Sequence, residues 1–239
     1  MCRKIILILA IFLSNLFSFD IMTEDYPPFN YKDKNGKIVG ITTDIVREIM
    51  KSNKDVYPIK LVPWARGYKN IINKPNKILF SMTRNPQREN LFKWVGPIAN
   101  NSFVFYAKSD SKIVINSLKE ANNKKYRIGT YLDGASEQYL KSKSFYNIHS
   151  VPDDLLNLKK LIKNRIDLWA AGETQGLYKA KQLKIDPKQI KKVFKIKDTQ
   201  LYIAFSRTTP NSVIYQWQTE LDKMKKDGRY QKIVDKYLK

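Results

Sequence analysis

Apolar residues change their spacing repeatedly along this chain. Ile5 to Leu13 is one unbroken apolar run. Beyond it, short runs rich in Ile, Val and aromatics alternate with longer stretches in which apolar residues return every three or four positions. Short runs of the first kind predict strands, and the three-to-four spacing predicts amphipathic helices. Phe19 to Thr23 reads as a strand that enters the loop Glu24-Asp25-Tyr26-Pro27-Pro28-Phe29-Asn30. Lys34-Asn35-Gly36-Lys37 is a turn between two short extended pieces. Thr42 to Asn53 predicts a helix, with Ile45/Ile49 and Val46/Met50 four apart and Thr42 or Thr43 as its cap. Tyr57 to Val62 predicts a strand, Trp64 to Asn73 a helix, and Ile78 to Thr83 a strand. This βαβαβ order implies a parallel sheet with helices on its faces.

A second unit of the same kind follows. Ser102 to Ala107 predicts a strand, and Ser117-Leu118-Lys119-Glu120 a capping box. Strands are expected at 127–130, 147–151, 166–171, 193–196 and 200–205. Helices are expected at 134–141, 153–163, 173–182, 210–226 and 228–237, with Gly228 breaking the last two apart. The fold class is therefore α/β.

The first apolar run has a different meaning. Arg3 and Lys4 precede it, and Ser18 offers a small residue for cleavage. This is the pattern of a secretory signal peptide over residues 1–18, too short for a spanning helix. The single cysteine, Cys2, lies ahead of the apolar run, so it is not a lipid-bearing residue behind a leader. The mature chain is expected free in the periplasm, without a disulfide, and long enough for one large domain or two modest lobes.

Charge adds little to this picture. The whole chain carries 44 basic and 22 acidic residues, and cleavage after Ser18 removes two bases and no acid, leaving +20. The lysines are spread along the sequence, which argues for a solvated basic surface over a nucleic-acid site. The one histidine, His149, and the absence of metal-ligand spacing leave neither hydrolase chemistry nor a cofactor to expect.

The segment from Phe80 to Pro97 carries the most chemistry. A strand ends in the hydroxyls of Ser81 and Thr83, then come Arg84 and Arg88, then an aromatic-Gly-Pro turn at Trp94-Val95-Gly96-Pro97. A guanidinium fork takes both oxygens of a carboxylate, and hydroxyls add single hydrogen bonds. Taken alone, the same arginines suit a surface loop paired with neighbouring acids. Arg84 and Arg66 fit that description better than Arg88.

The segment resembles the corresponding part of the family 3 extracellular solute-binding proteins, the binding subunits of polar amino-acid ABC importers. Tyr26-Pro27-Pro28-Phe29, Ile128-Gly129-Thr130-Tyr131-Leu132-Asp133-Gly134-Ala135-Ser136, Asn164-Arg165-Ile166-Asp167-Leu168-Trp169 and Asp227-Gly228-Arg229-Tyr230 resemble further family segments in the same order. The resemblance implies a two-lobe periplasmic-binding-protein-like fold (type II). Each lobe would be a mostly parallel sheet flanked by helices, the two joined by crossing strands. Lobe one would hold residues 19–106 and 203–239, lobe two residues 107–202. It also implies a monomer that closes on a small carboxylate-bearing ligand and delivers it to an ABC permease in the inner membrane.

By that resemblance Tyr26 and Trp64 flank the ligand, with Tyr68 one turn further on. Arg88, Ser81 and Thr83 grip its carboxylate, and Thr130, Ala135 and Ser136 contribute from lobe two, where a helix start aims free N–H groups at an anion. One place departs from the pattern. The acid that holds the α-ammonium in amino-acid binders falls on Gly172, and Thr23 stands where binders of basic amino acids have an acid. Glu173 is the nearest acid to the first position. It either takes the ammonium or caps its own helix. The alternative function is an enzyme on the same fold, a cyclohexadienyl or arogenate dehydratase with Glu173 as its acid, or a stand-alone sensor.

Overall fold

Two long strands organise the chain. In the computed structural model, which describes residues 18–238, they run through both halves of the molecule and are the only strands to do so. The leader expected over residues 1–18 lies, apart from Ser18, outside the described residues.

In chain order, β1 is Asp20–Thr23, β2 Tyr31–Lys32, β3 Ile38–Val39, α1 Ile41–Asn53, β4 Ile59–Leu61, α2 Trp64–Asn73 and β5 Lys77–Thr83. The long strand β6, Phe92–Lys108, then crosses to the second half. There follow α3 Leu118–Ala121, β7 Ile128–Tyr131, α4 Ala135–Ser142, β8 Ile148–Val151, α5 Asp154–Ile162, β9 Leu168–Gly172 and α6 Glu173–Gln182. The strand β10, Ile190–Ser206, returns, and α7 Asn211–Lys226 and α8 Arg229–Leu238 close the chain.

The strand order is β4-β1-β5-β10-β6-β9-β7-β8. β4, β1 and β5 are parallel, as are β9, β7 and β8. The two crossing strands pair antiparallel to each other and to their neighbours β5 and β9. Each lobe thus has the parallel sheet that the βαβ pattern demands, with an antiparallel edge at the junction.

Helices cover both faces of each sheet, and each face closes its own core. Ile45, Ile49, Phe80, Phe205 and Trp217 pack on one face of lobe one. Met22, Trp64, Leu79 and Phe92 pack on the other. In lobe two the cores centre on Phe105, Ile128 and Leu168 and on Val104, Leu158 and Trp169. Along β6, Val95, Ile98 and Ala99 belong to lobe one, and Phe103 to Ala107 to lobe two. The change from one core to the other falls between Ala99 and Phe103 on β6 and between Ile196 and Leu201 on β10.

Three local expectations are corrected. Trp94-Val95-Gly96-Pro97 is not a turn. It lies inside β6, where residues 96–98 bulge out opposite Tyr202, since Val95 pairs with Ile203 and Ala99 with Leu201. Gly96 is needed there: its φ is 147°, and a Cβ would lie 2.7 Å from the Tyr202 ring. The strands expected at 193–196 and 200–205 are one strand, because polar Lys197, Asp198 and Thr199 continue the ladder opposite Phe103, Ser102 and Asn101. Polar residues suit this stretch, where the ribbon between the lobes is largely solvated. Finally, Gly40 and not a threonine is the N-cap of α1; Thr42 lies inside the helix and donates its hydroxyl to the Phe29 carbonyl at 2.8 Å.

Candidate functional site

A cleft between the lobes follows from this topology, because the parallel strands of both sheets end there. Its inner part is a cavity of about 50 Å³ lined from lobe one by Tyr26, Trp64, Ser81, Thr83 and Arg88. Lobe two adds Ala135 and Ser136.

Arg88 is the centre of the lobe-one side. Asn85 builds the turn that carries it, its Oδ1 and carbonyl both accepting from the Arg88 N–H at 3.0 Å. The side chain is 1% exposed. Nη1 donates to the Thr83 carbonyl at 3.1 Å and Nη2 to the Asp133 carbonyl, across the cleft, at 3.0 Å. The guanidinium lies over the rings of Trp64 (4.8 Å) and Tyr68 (5.1 Å). Its Nε has no hydrogen-bond partner among the described residues. Burial pulls its pKa down to about 10, so it stays cationic at neutral pH. A buried guanidinium with a spare donor suits an anion.

Ser81 owes its position to a bulge. Met82 pairs with Tyr202 and Phe80 with Ile203, so Ser81 is the extra residue, with φ at 64°. Its hydroxyl meets Thr42 Oγ1 at 2.7 Å and Asn30 Oδ1. Trp64 opens α2 after Pro63, and its Nε1 donates to the Asp133 carbonyl at 3.2 Å. Tyr68 stacks on Trp64 at 5.2 Å, behind the cavity lining. The Tyr26 hydroxyl accepts from Asn101 Nδ2 at 2.7 Å.

On the lobe-two side, α4 begins at Ala135 beside the cavity, presenting first-turn N–H groups to it. Glu137 braces this start by accepting from the Asp133 N–H at 2.6 Å and from the Ser150 hydroxyl.

Two expected residues lie elsewhere. Thr130 is buried in β7, its hydroxyl 3.0 Å from Ser150 Oγ, and is not among the lining residues. The Glu173 carboxylate is ion-paired to Lys192 and faces a separate polar cavity beside the crossing strands. Arg84 forms a two-pronged pair with Glu89, Arg66 is exposed, and so is His149. No cluster of potential metal ligands occurs among the described residues.

Other lining residues escaped the sequence reading. Glu24 keeps some solvent contact yet sits deep between the lobes. Burial, with Asp154 and Asp25 nearby, pushes its carboxyl up to about 7 against the pull of Lys179 and Arg88. Asp154, 3% exposed, accepts on Oδ1 from Asn157 Nδ2 and Trp169 Nε1, each at 2.9 Å, and burial raises its pKa. Tyr131 and Gln175 also line the cavity. The only sequence signal for Glu24 was its place one residue after Thr23. Asp154 carries no signal of its own beside Asp153, which takes the helix cap, accepting from the Leu155 N–H.

The model of the bacterial extracellular solute-binding proteins, family 3, matches residues 21–239. The chain belongs to this family. A protein of Escherichia coli (strain K12) assigned as an ABC transporter arginine-binding protein is 25% identical to this solute-binding protein over 225 residues, 89% of this chain and 87% of that one. Solved structures share the two-lobe fold. A histidine kinase sensor domain with similarity to periplasmic binding proteins superposes with a TM-score of 0.82 at 18% identity, covering 92% of this chain and 96% of that one. An ancestral arginine-binding protein bound to arginine gives 0.80 at 22% identity, covering 93% and 98%. An ancestral amino acid-binding protein, a precursor of cyclohexadienyl dehydratase, gives 0.77 at 22%, covering 93% and 96%. No described helix is long and apolar enough to cross a membrane.

Proposed function

We propose that this solute-binding protein captures a small carboxylate-bearing solute, an amino acid or a related compound, in the cleft between its lobes. Arg88, with Ser81 and Thr83, holds the carboxylate from lobe one. Ser136 and the start of α4 meet it from lobe two, and the rings of Tyr26 and Trp64 flank it. The protein then hands the solute unchanged to an ABC permease in the inner membrane, working as a monomer in the periplasm.

The observation that supports this most is Arg88: a buried cation in an interlobe cavity, with its Nε unpartnered among the described residues. The arginine-binding assignment of the E. coli relative agrees with an amino-acid ligand. The dehydratase reading assigned its acid to Glu173, whose carboxylate faces Lys192 outside this cavity. The test is a thermal-shift screen of amino acids and simple carboxylates. A ligand present at one hundred times its Kd stabilises by about 2.7 kcal/mol. If no carboxylate shifts the melting temperature, or if shifts persist in Arg88→Ala, the reading fails.

A further inference from the structure

The family's ammonium-holding position is closed in this chain. Gly172 stands there, and a Cβ on it would lie 2.5 Å from the Tyr26 hydroxyl, so the ring already fills that space. The next acid, Glu173, is turned away to Lys192. Neither offers a cavity-facing carboxylate.

A different carboxylate shares the chamber with Arg88. Asp154, the first residue of α5, lines the same cavity and is almost wholly buried. Its presence is not explained by capping, because Asp153 does that. Nor does structural hydrogen bonding use all of it. Both donors that reach it, Asn157 Nδ2 and Trp169 Nε1, fall on Oδ1, and Oδ2 has no hydrogen bond among the described residues. Two donors on one oxygen fix the plane of the carboxylate and leave the other oxygen available. Keeping a carboxylate out of water is costly unless a cation or donors compensate it. Lys179, itself buried, contributes charge from α6 without an ion pair to Asp154 within 4 Å among the described residues. The chamber therefore holds the Arg88 cation and, beside Glu24, the Asp154 carboxylate, whose Oδ2 takes no hydrogen bond among the described residues. Opposite charges lining one small cavity suit a solute that carries both an anionic and a cationic group.

We infer that Asp154 is the ammonium acceptor of this cleft, replacing the acid absent at position 172, so that the solute is an α-amino acid and not a plain carboxylate. The inference rests on the proposed carboxylate grip of Arg88. The Asp154 carboxylate accepts a charge-assisted hydrogen bond from the solute's ammonium through Oδ2, and Trp169 and Asn157 hold it in position through Oδ1.

The experiment is calorimetric titration of the full-length protein with the twenty standard L-amino acids, and with the des-amino acid matching each one that binds; for L-arginine this is 5-guanidinopentanoate. Wild type should bind at least one amino acid ten or more times tighter than its des-amino analogue, a comparison that needs no variant. Asp154→Asn keeps an oxygen for Trp169 and Asn157. It should weaken the amino acid at least tenfold and the des-amino acid less than twofold. Equal wild-type affinity for the two, or equal weakening of both by Asp154→Asn, overturns the inference and leaves the carboxylate grip standing. So does binding of plain carboxylates with no amino acid bound. Failure of every carboxylate to bind, or binding untouched by Arg88→Ala, removes the grip itself and the inference with it.

Discussion

The Tyr26 hydroxyl sits where a side chain at position 172 would begin: a Cβ on Gly172 would lie 2.5 Å from that oxygen. Asn101 Nδ2 holds the hydroxyl at 2.7 Å, so the ring has little freedom to withdraw. The φ of Gly172, −63°, is open to any residue, and space alone requires the glycine. Gly172→Ala should therefore destabilise the protein by about 1–3 kcal/mol. Tyr26→Phe removes the obstructing oxygen, so the double variant should be more stable than the sum of the two single losses. Urea denaturation of all four proteins measures this, and strict additivity would contradict the contact.

Arg88→Ala should cost about 2–5 kcal/mol of binding to any carboxylate solute found by the thermal screen, the usual loss when one partner of a buried charge pair is truncated. Arg88→Lys should recover only part of it, because an ammonium lacks the planar fork. Calorimetry on folded variants gives both values. Full affinity in Arg88→Lys would show that charge alone matters.

Trp64 is the one cavity-lining tryptophan of four. Solute binding should change tryptophan emission, and Trp64→Phe should remove most of that change. Trp217, buried in the core of lobe one, should report little. A full signal surviving in Trp64→Phe would place the solute elsewhere.

The pKa of Glu24 is raised from its ordinary 4.5 to about 7, chiefly by burial. Between those values the folded chain keeps a proton that the unfolded chain has lost. The stability contribution is greatest below about pH 4.5 and falls as pH rises toward 7. Because Glu24 retains some solvent contact, the fall should be about 1–3 kcal/mol. Glu24→Gln should flatten that slope in urea titrations at pH 4.5 to 7.5. An unchanged slope would assign the pH dependence to other groups.

Much of the architecture was legible from spacing alone. The four-residue repeats of α1 marked a helix whose packing the structure bears out, because one-sided burial enforces that period, whereas the buried face of α5 is Asp154, Asn157, Leu158 and Leu161. The long crossing strands were harder to read. The ribbon between the lobes is largely solvated, so Lys197-Asp198-Thr199 looks like loop, and cross-strand pairing alone makes it strand. At the site, Arg88 stood out because a cation after a hydroxyl-bearing strand end is chemically conspicuous. Glu24 and Asp154 did not. Their importance comes from two lobes meeting in space, and nothing in the local sequence of either residue registers that meeting.

Asp133 carries the consequence furthest. With φ at 57°, its backbone turns one carbonyl toward both Trp64 Nε1 and Arg88 Nη2 on the opposite lobe. The lobes thus share a contact made by the very side chains proposed to hold the solute. Residence time then depends on two clocks, the breaking of the grip and the parting of the lobes. A substitution that lengthens one shortens or lengthens the other with it. In the proposed role, how long the solute stays and how the lobes part would thus be set through the same two side chains.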